Sequence, residues 1–145
     1  MPQPIIITTS QAPDAKPVVA NVMVTTTEKV LISVPQYEVP ELVFGGSTVI
    51  EDGVGEVISP LILCNVTAAT ATVDVRAERW ISNGFGNTSF YFVRQLKIPA
   101  YETLALPLNG QFFKSGDELR ISCNTDFAIN ATISFTLGQS EENDV

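Results

Sequence analysis

Chemistry in a protein needs groups that carry protons, electrons or metal ions, and this chain of 145 residues holds few in useful arrangements. It contains no histidine. Without imidazole there is no serine–histidine or cysteine–histidine pair to activate a nucleophile, and no nitrogen ligand for zinc. Its two cysteines, Cys64 and Cys123, cannot close a structural zinc site by themselves. Paired carboxylates can hydrolyse a glycoside. Glu78, Glu102, Asp117 and Glu118 are available, but each fits a solvated outward strand position or a turn. Glu51, Asp52 and Glu56 lie close together, yet not at the alternating positions of a calcium loop. The segments Phe44–Ser47 and Asn83–Asn87 are glycine-rich but lack the lysine and the helix of a phosphate-binding loop. These residues predict a non-enzymatic protein with no catalytic centre, no metal and no cofactor.

Charge narrows the partners. The formal net charge is −8, and the basic residues Lys16, Lys29, Arg76, Arg79, Arg94, Lys97, Lys114 and Arg120 are scattered. A nucleic-acid binder needs a basic stripe to neutralise phosphates, so that class is set aside. An anionic membrane surface would repel the chain. No run approaches the roughly 20 apolar residues of a membrane span. Charged residues make up 17% of the sequence, against about a quarter in ordinary soluble domains. A surface so poor in charge predicts apolar area hidden in a permanent interface, in a homo-oligomer or a larger assembly, with a monomer bearing a neutral Thr- and Ser-rich surface as the alternative.

The elements that must carry such surfaces are strands. From Phe127 to Leu137 every second residue is apolar: Phe127, Ile129, Ala131, Ile133, Phe135 and Leu137. A period of two places one set on each face of a sheet. Leu119, Ile121 and Cys123 alternate with Glu118, Arg120 and Ser122 in the same way, as do Val73, Val75 and Ala77 with Asp74, Arg76 and Glu78. Leu104, Leu106 and Leu108 follow suit, with Pro107 marking an edge strand or its end. Val18–Val24 and Lys29–Val34 read as strands, with Val30, Ile32 and Val34 facing one way. Pro35–Pro40 reads as a break, and Gly45-Gly46 as a bulge or short hairpin. Turns fall at Glu51–Gly53, Ser115–Asp117 and Asn124–Asp126. Val57–Val66 and Phe90–Val93 are apolar on both faces, which suits strands covered on both sides or strands whose outer face meets a partner; together they are the candidate for an interface-facing sheet, with Tyr91 and Val93. The alternation fails at Arg79-Trp80, as at a bulge, and Ser82–Ser89 reads as an exposed loop carrying Phe85, which either contacts a partner or folds back as a lid on the core.

Together these patterns predict an all-β antiparallel sandwich over residues 18–138, immunoglobulin-like or jelly-roll-like, with no helix. Residues 1–17 form an extended arm, because Pro2, Pro4, Pro13 and Pro17 forbid helix. Within it Ile5, Ile6 and Ile7 are too apolar for a free tail, and they can anchor the arm on its own domain or on a neighbouring subunit. Residues 139–145 read as an acidic tail. The opening MPQPIIITTS lacks the basic and long apolar regions of a secretory signal. In a reducing cytosol Cys64 and Cys123 then remain thiols in the core. The sequons at Asn65, Asn87 and Asn130 read as chance. The order Cys64, Trp80, Cys123 echoes immunoglobulin domains, but Ile121 stands where their tyrosine corner needs Tyr.

The hairpin of Leu63-Cys64-Asn65-Val66-Thr67 with Ala71–Arg76, the segments Ile98-Pro99-Ala100 and Leu104–Leu108, and the turn Ser115–Leu119 form a further pattern. It resembles the small β-sandwich structural proteins of tailed bacteriophage particles, including phages of marine bacteria and cyanobacteria. The resemblance covers Val57 to Leu137. It implies a non-enzymatic virion protein assembled in host cytoplasm, present in many copies in the neck or tail as a ring or fibre adaptor. Its partners would be itself and other virion proteins. A decoration or cement protein on the phage head is the alternative location. From a different class, a carbohydrate-binding module would need an aromatic platform, which Trp80, Phe85, Tyr91 and Tyr101 could supply.

Overall fold

Apolar side chains recur at every second position through most of the chain, and that period drives it into strands with one face to bury. The computed structural model describes residues 16–34, 37–44, 47–51, 53–81 and 86–139. These form β1 (Lys16–Val24), β2 (Lys29–Ser33), β3 (Tyr37–Phe44), β4 (Ser47–Glu51), β5 (Gly53–Val57), β6 (Leu61–Asn65), β7 (Ala71–Ile81), β8 (Gly86–Ile98), β9 (Thr103–Leu106), β10 (Phe112–Lys114), β11 (Glu118–Cys123) and β12 (Ile129–Gln139). All pairings are antiparallel, and the described residues contain no helix. The molecule is an all-β sandwich of two packed sheets.

The first sheet is built on β12. Along one edge β12 pairs with the whole of β1, Val24 opposite Ile129 and Lys16 opposite Leu137. Along its other edge it pairs with β5 and then β6. Beyond these, β10 pairs with β5 and β9 with β6. Six segments thus fill four rows, because two rows are broken by proline. Val57–Val66, expected as one strand, is cut at Pro60. Ile58 N donates to Ser134 O at 2.9 Å, and the Ser59 hydroxyl accepts from Ser134 N at 2.9 Å, so a side chain bridges the break. The neighbouring row stops before Pro107, as expected of an edge strand, and resumes at Phe112.

The second sheet has the order β2-β11-β7-β8. Val73, Val75, Ala77, Leu119 and Ile121 point inward and are fully buried against Leu61, Leu63, Ile129, Ala131 and Ile133 of the first sheet. β3 and β4 pair with each other as a separate two-stranded sheet, with Phe44 opposite Ser47, and the expected bulge or short hairpin at Gly45-Gly46 lies outside the described residues.

Several details depart from the simple alternation. Val30 is exposed while Leu31 and Ile32 are both buried, because the register between β2 and β11 slips there. β3 runs through Pro40 and starts at Tyr37, so the expected break shrinks to residues 35–36, which lie outside the described residues. The register between β7 and β8 slips opposite Val73–Arg76, where β8 carries the extra, bulged residues, and not at Arg79-Trp80, which pair regularly with Thr88 and Asn87. Gly86–Ser89 is strand and not loop. Phe127 is exposed and its neighbour Ala128 is buried, because Phe127 closes the preceding turn with φ of 63°. Cys64 is half-buried on the outer side of β6, while Cys123 is buried in the other sheet; both are free thiols.

Candidate interaction surface

Among the described residues β8 lies at the edge of its sheet, with β7 as its one paired strand. Its bulges rotate the strand, and Gln95 takes a φ of 52° to accommodate the extra residues. The Asp74 carboxylate accepts a 2.6 Å hydrogen bond from Gln95 N, which satisfies the amide that the bulge removes from the ladder. The consequence is a split of the Phe90–Val93 run. Phe90 and Tyr91 are 40% and 44% exposed, while Phe92 and Val93 are half-buried and pack against the core.

Arginines lie over the exposed rings. The Arg94 guanidinium is 4.6 Å from the Tyr91 ring centre. Arg79 is 5.6 Å from that of Phe90 and 5.5 Å from that of Phe113 on the opposite sheet. Arg79 also donates to Phe112 O at 3.1 Å and lies 3.6 Å from the Asp117 carboxylate. It therefore ties the end of β7 to β10, clamping the two sheets. Asp117, expected on a solvated turn, is wholly buried. The turn folds inward: Gly116, with φ of 89°, donates to Val34 O, and the Asp117 carboxylate accepts from Lys114 N at 3.0 Å.

The expected outward carboxylates of β7 and β11 are paired. Arg76 donates to both oxygens of Glu28, at 2.7 Å for Nη2 to Oε1. Arg120 donates to Glu118 through Nε at 2.7 Å and lies 3.5 Å from Glu78 and from Glu28. The hydrogen bond from Arg76, with Arg120 beside it, holds the Glu28 carboxyl below the usual carboxylate range. Both guanidinium pKa values are raised in return, by Glu28 at Arg76 and by Glu118 at Arg120. Sequence alternation placed Arg76 and Arg120 on one face, but Glu28 comes from the β1–β2 connection and carried no such signal. Burial pushes the Cys123 thiol up, so it is a poor nucleophile.

Among the sequence-expected interface residues, Tyr91 is exposed on the edge of β8 and Val93 sits two residues on, turned toward the core. Ile5, Ile6, Ile7 and Phe85 lie outside the described residues. Among the described residues no group of three or more His, Cys, Asp or Glu side chains is placed to hold a metal, and no helix is long and apolar enough to cross a membrane. The sequon at Asn65 has a structural use. Its side chain is buried, with its amide donating to Ala69 O and Ile98 O and its oxygen accepting from Thr67 N and Oγ1, at 2.8–2.9 Å.

The architecture defines the class, an antiparallel β-sandwich that, among the described residues, has an aromatic edge. Searches of protein-family models, of curated proteins and of solved structures each return no match to this chain.

Proposed function

We propose that the protein is a non-enzymatic structural component of a tailed-phage particle, present in many copies in the neck or tail as a ring or fibre adaptor. The observation that carries this reading is the edge of β8, where Phe90 and Tyr91 stay exposed on a strand that, among the described residues, pairs on one side with β7. An edge of that kind accepts another chain through main-chain hydrogen bonds, while side chains set the specificity. The hairpin-and-turn resemblance of Val57 to Leu137 to phage sandwich proteins supports the setting. The low share of charged residues, 17%, supports permanent association over a solitary life in water. The purified chain is expected to form a defined cyclic oligomer or to co-migrate with connector or tail components. A monomer at high micromolar concentration that binds no virion component would overturn the reading. Copy number per particle separates a neck or tail role from a head decoration protein, which would be present in hundreds.

A further inference from the structure

Two aromatic residues occupy backbone positions that ordinarily belong to glycine. Glu102 N donates to Pro99 O at 3.1 Å, closing a four-residue turn with Tyr101 in its third position at φ of 60°. Ala128 N donates to Thr125 O at 3.3 Å, closing a second turn with Phe127 in the same position at φ of 63°. The preceding residues, Ala100 and Asp126, do not have positive φ, so both are type II turns, which favour Gly or Asn in the third place. Both rings point out, Tyr101 70% exposed and Phe127 60%. The two turns are neighbours. Val66 N donates to Ala128 O at 2.9 Å and Thr67 O accepts from Tyr101 N at 3.1 Å, so consecutive residues of the β6–β7 connection link them. Val66 is itself exposed between the two turns. Strained backbone that displays an aromatic thus recurs at one end of the sandwich, and such outliers cluster at functional sites.

Charge selects the occupant. Each aromatic adjoins an exposed carboxylate, Tyr101 beside Glu102 and Phe127 beside Asp126. Among the described residues neither carboxylate is in an ion pair, whereas Glu28, Glu78, Asp117 and Glu118 each face an arginine. Hydrogen bonds from Thr26 hold the Asp126 carboxyl below its usual range, so it is ionised at neutral pH. Lys97, opposite Thr72 in the β7–β8 ladder, belongs to the outer face of its sheet. An aromatic face attracts an ammonium or guanidinium group, and a carboxylate beside it adds a charge-assisted hydrogen bond. The net charge of −8 steers a cation toward such a site.

We infer that the end of the sandwich formed by Val66, Tyr101, Glu102, Asp126 and Phe127 is a docking site for an extended basic polypeptide segment. Two of its Lys or Arg side chains lie on the two aromatic–carboxylate pairs. This surface is separate from the β8 edge, and the inference stands whatever assembly the chain enters.

The test uses the full chain and a short fluorescent peptide with arginine at alternate positions, read by anisotropy at low and at physiological salt. The wild type binds the peptide, more weakly at higher salt. The variant Tyr101→Gly with Phe127→Gly binds about tenfold more weakly, and its thermal midpoint is equal or higher because strain is relieved. Glu102→Gln with Asp126→Asn also weakens binding, while Glu56→Gln, a carboxylate elsewhere, leaves it unchanged. Absence of binding by the wild type, or an equal loss in Glu56→Gln, overturns the inference. So does salt-insensitive binding of maltohexaose that depends on Tyr101 and Phe127.

Discussion

A buried polar side chain has to find partners for every donor and acceptor it carries. Asn65 does so with four hydrogen bonds, pinning the β6–β7 connection to the end of β8. Asn65→Ala should cost about 1–3 kcal/mol in chemical denaturation, because it strands the Thr67 amide and two carbonyls. The same bonds occupy its amide, so the folded protein should not be glycosylated there. Ile133 is fully buried on β12, and Ile133→Ala should cost about 2–5 kcal/mol by leaving a cavity. Thr132→Ala, one residue away on the outer face, loses a 2.6 Å hydrogen bond from Asn21 and should cost under about 1 kcal/mol. Equal costs would mean that the two faces of β12 are wrongly assigned. Glu28 supplies a pH signature. Its folded pKa is lowered by Arg76 and Arg120, so its contribution is complete above the unfolded carboxylate value of about 4.3. That contribution is lost as pH falls through the lower folded value. Glu28→Gln should therefore be less stable than wild type at pH 7, and the gap should close in acid; a gap independent of pH would exclude the ion pair as its cause.

Elements follow the alternation where one face is buried, which is why β7, β11 and β12 are legible from residue type alone. The inward sets Val73-Val75-Ala77 and Leu119-Ile121-Cys123 are buried as their spacing requires. Pro107 ends β9 at an edge for the reason proline must. The misreadings have one physical source: a bulge or a turn shifts the period by a residue without changing local composition. The slip at β2 exposes Val30, and the β8 bulge turns Val93 inward while leaving Tyr91 out. The paired residues Glu28 with Arg76, and Asp117 with Arg79, are 48 and 38 positions apart, so no local pattern announces them. The positive φ of Tyr101 and Phe127 has no sequence signal at all, since nothing in an aromatic residue announces it. The left-handed backbone costs a side chain about 1–2 kcal/mol. Tyr101→Gly or Phe127→Gly should accordingly raise stability by up to about 1 kcal/mol, measured by urea midpoint at constant slope. A clear loss would show that the rings are held by packing.

At the scale of the molecule, two sheets bury one core and leave distinct outer surfaces. One carries the network of Glu28, Arg76, Glu78, Glu118 and Arg120; the edge beside it carries Phe90 and Tyr91 under arginines; one end carries Tyr101 and Phe127. A chain that uses these surfaces for assembly gains its stability partly from neighbours, so its apparent melting temperature should rise with concentration. The most direct measurement is sedimentation equilibrium of the full chain beside a version lacking residues 1–15. The account predicts a defined oligomer for the full chain, loosened by Tyr91→Asp at the edge of β8. A single monomeric species at high micromolar concentration, unchanged by either alteration and binding no virion component, would contradict it.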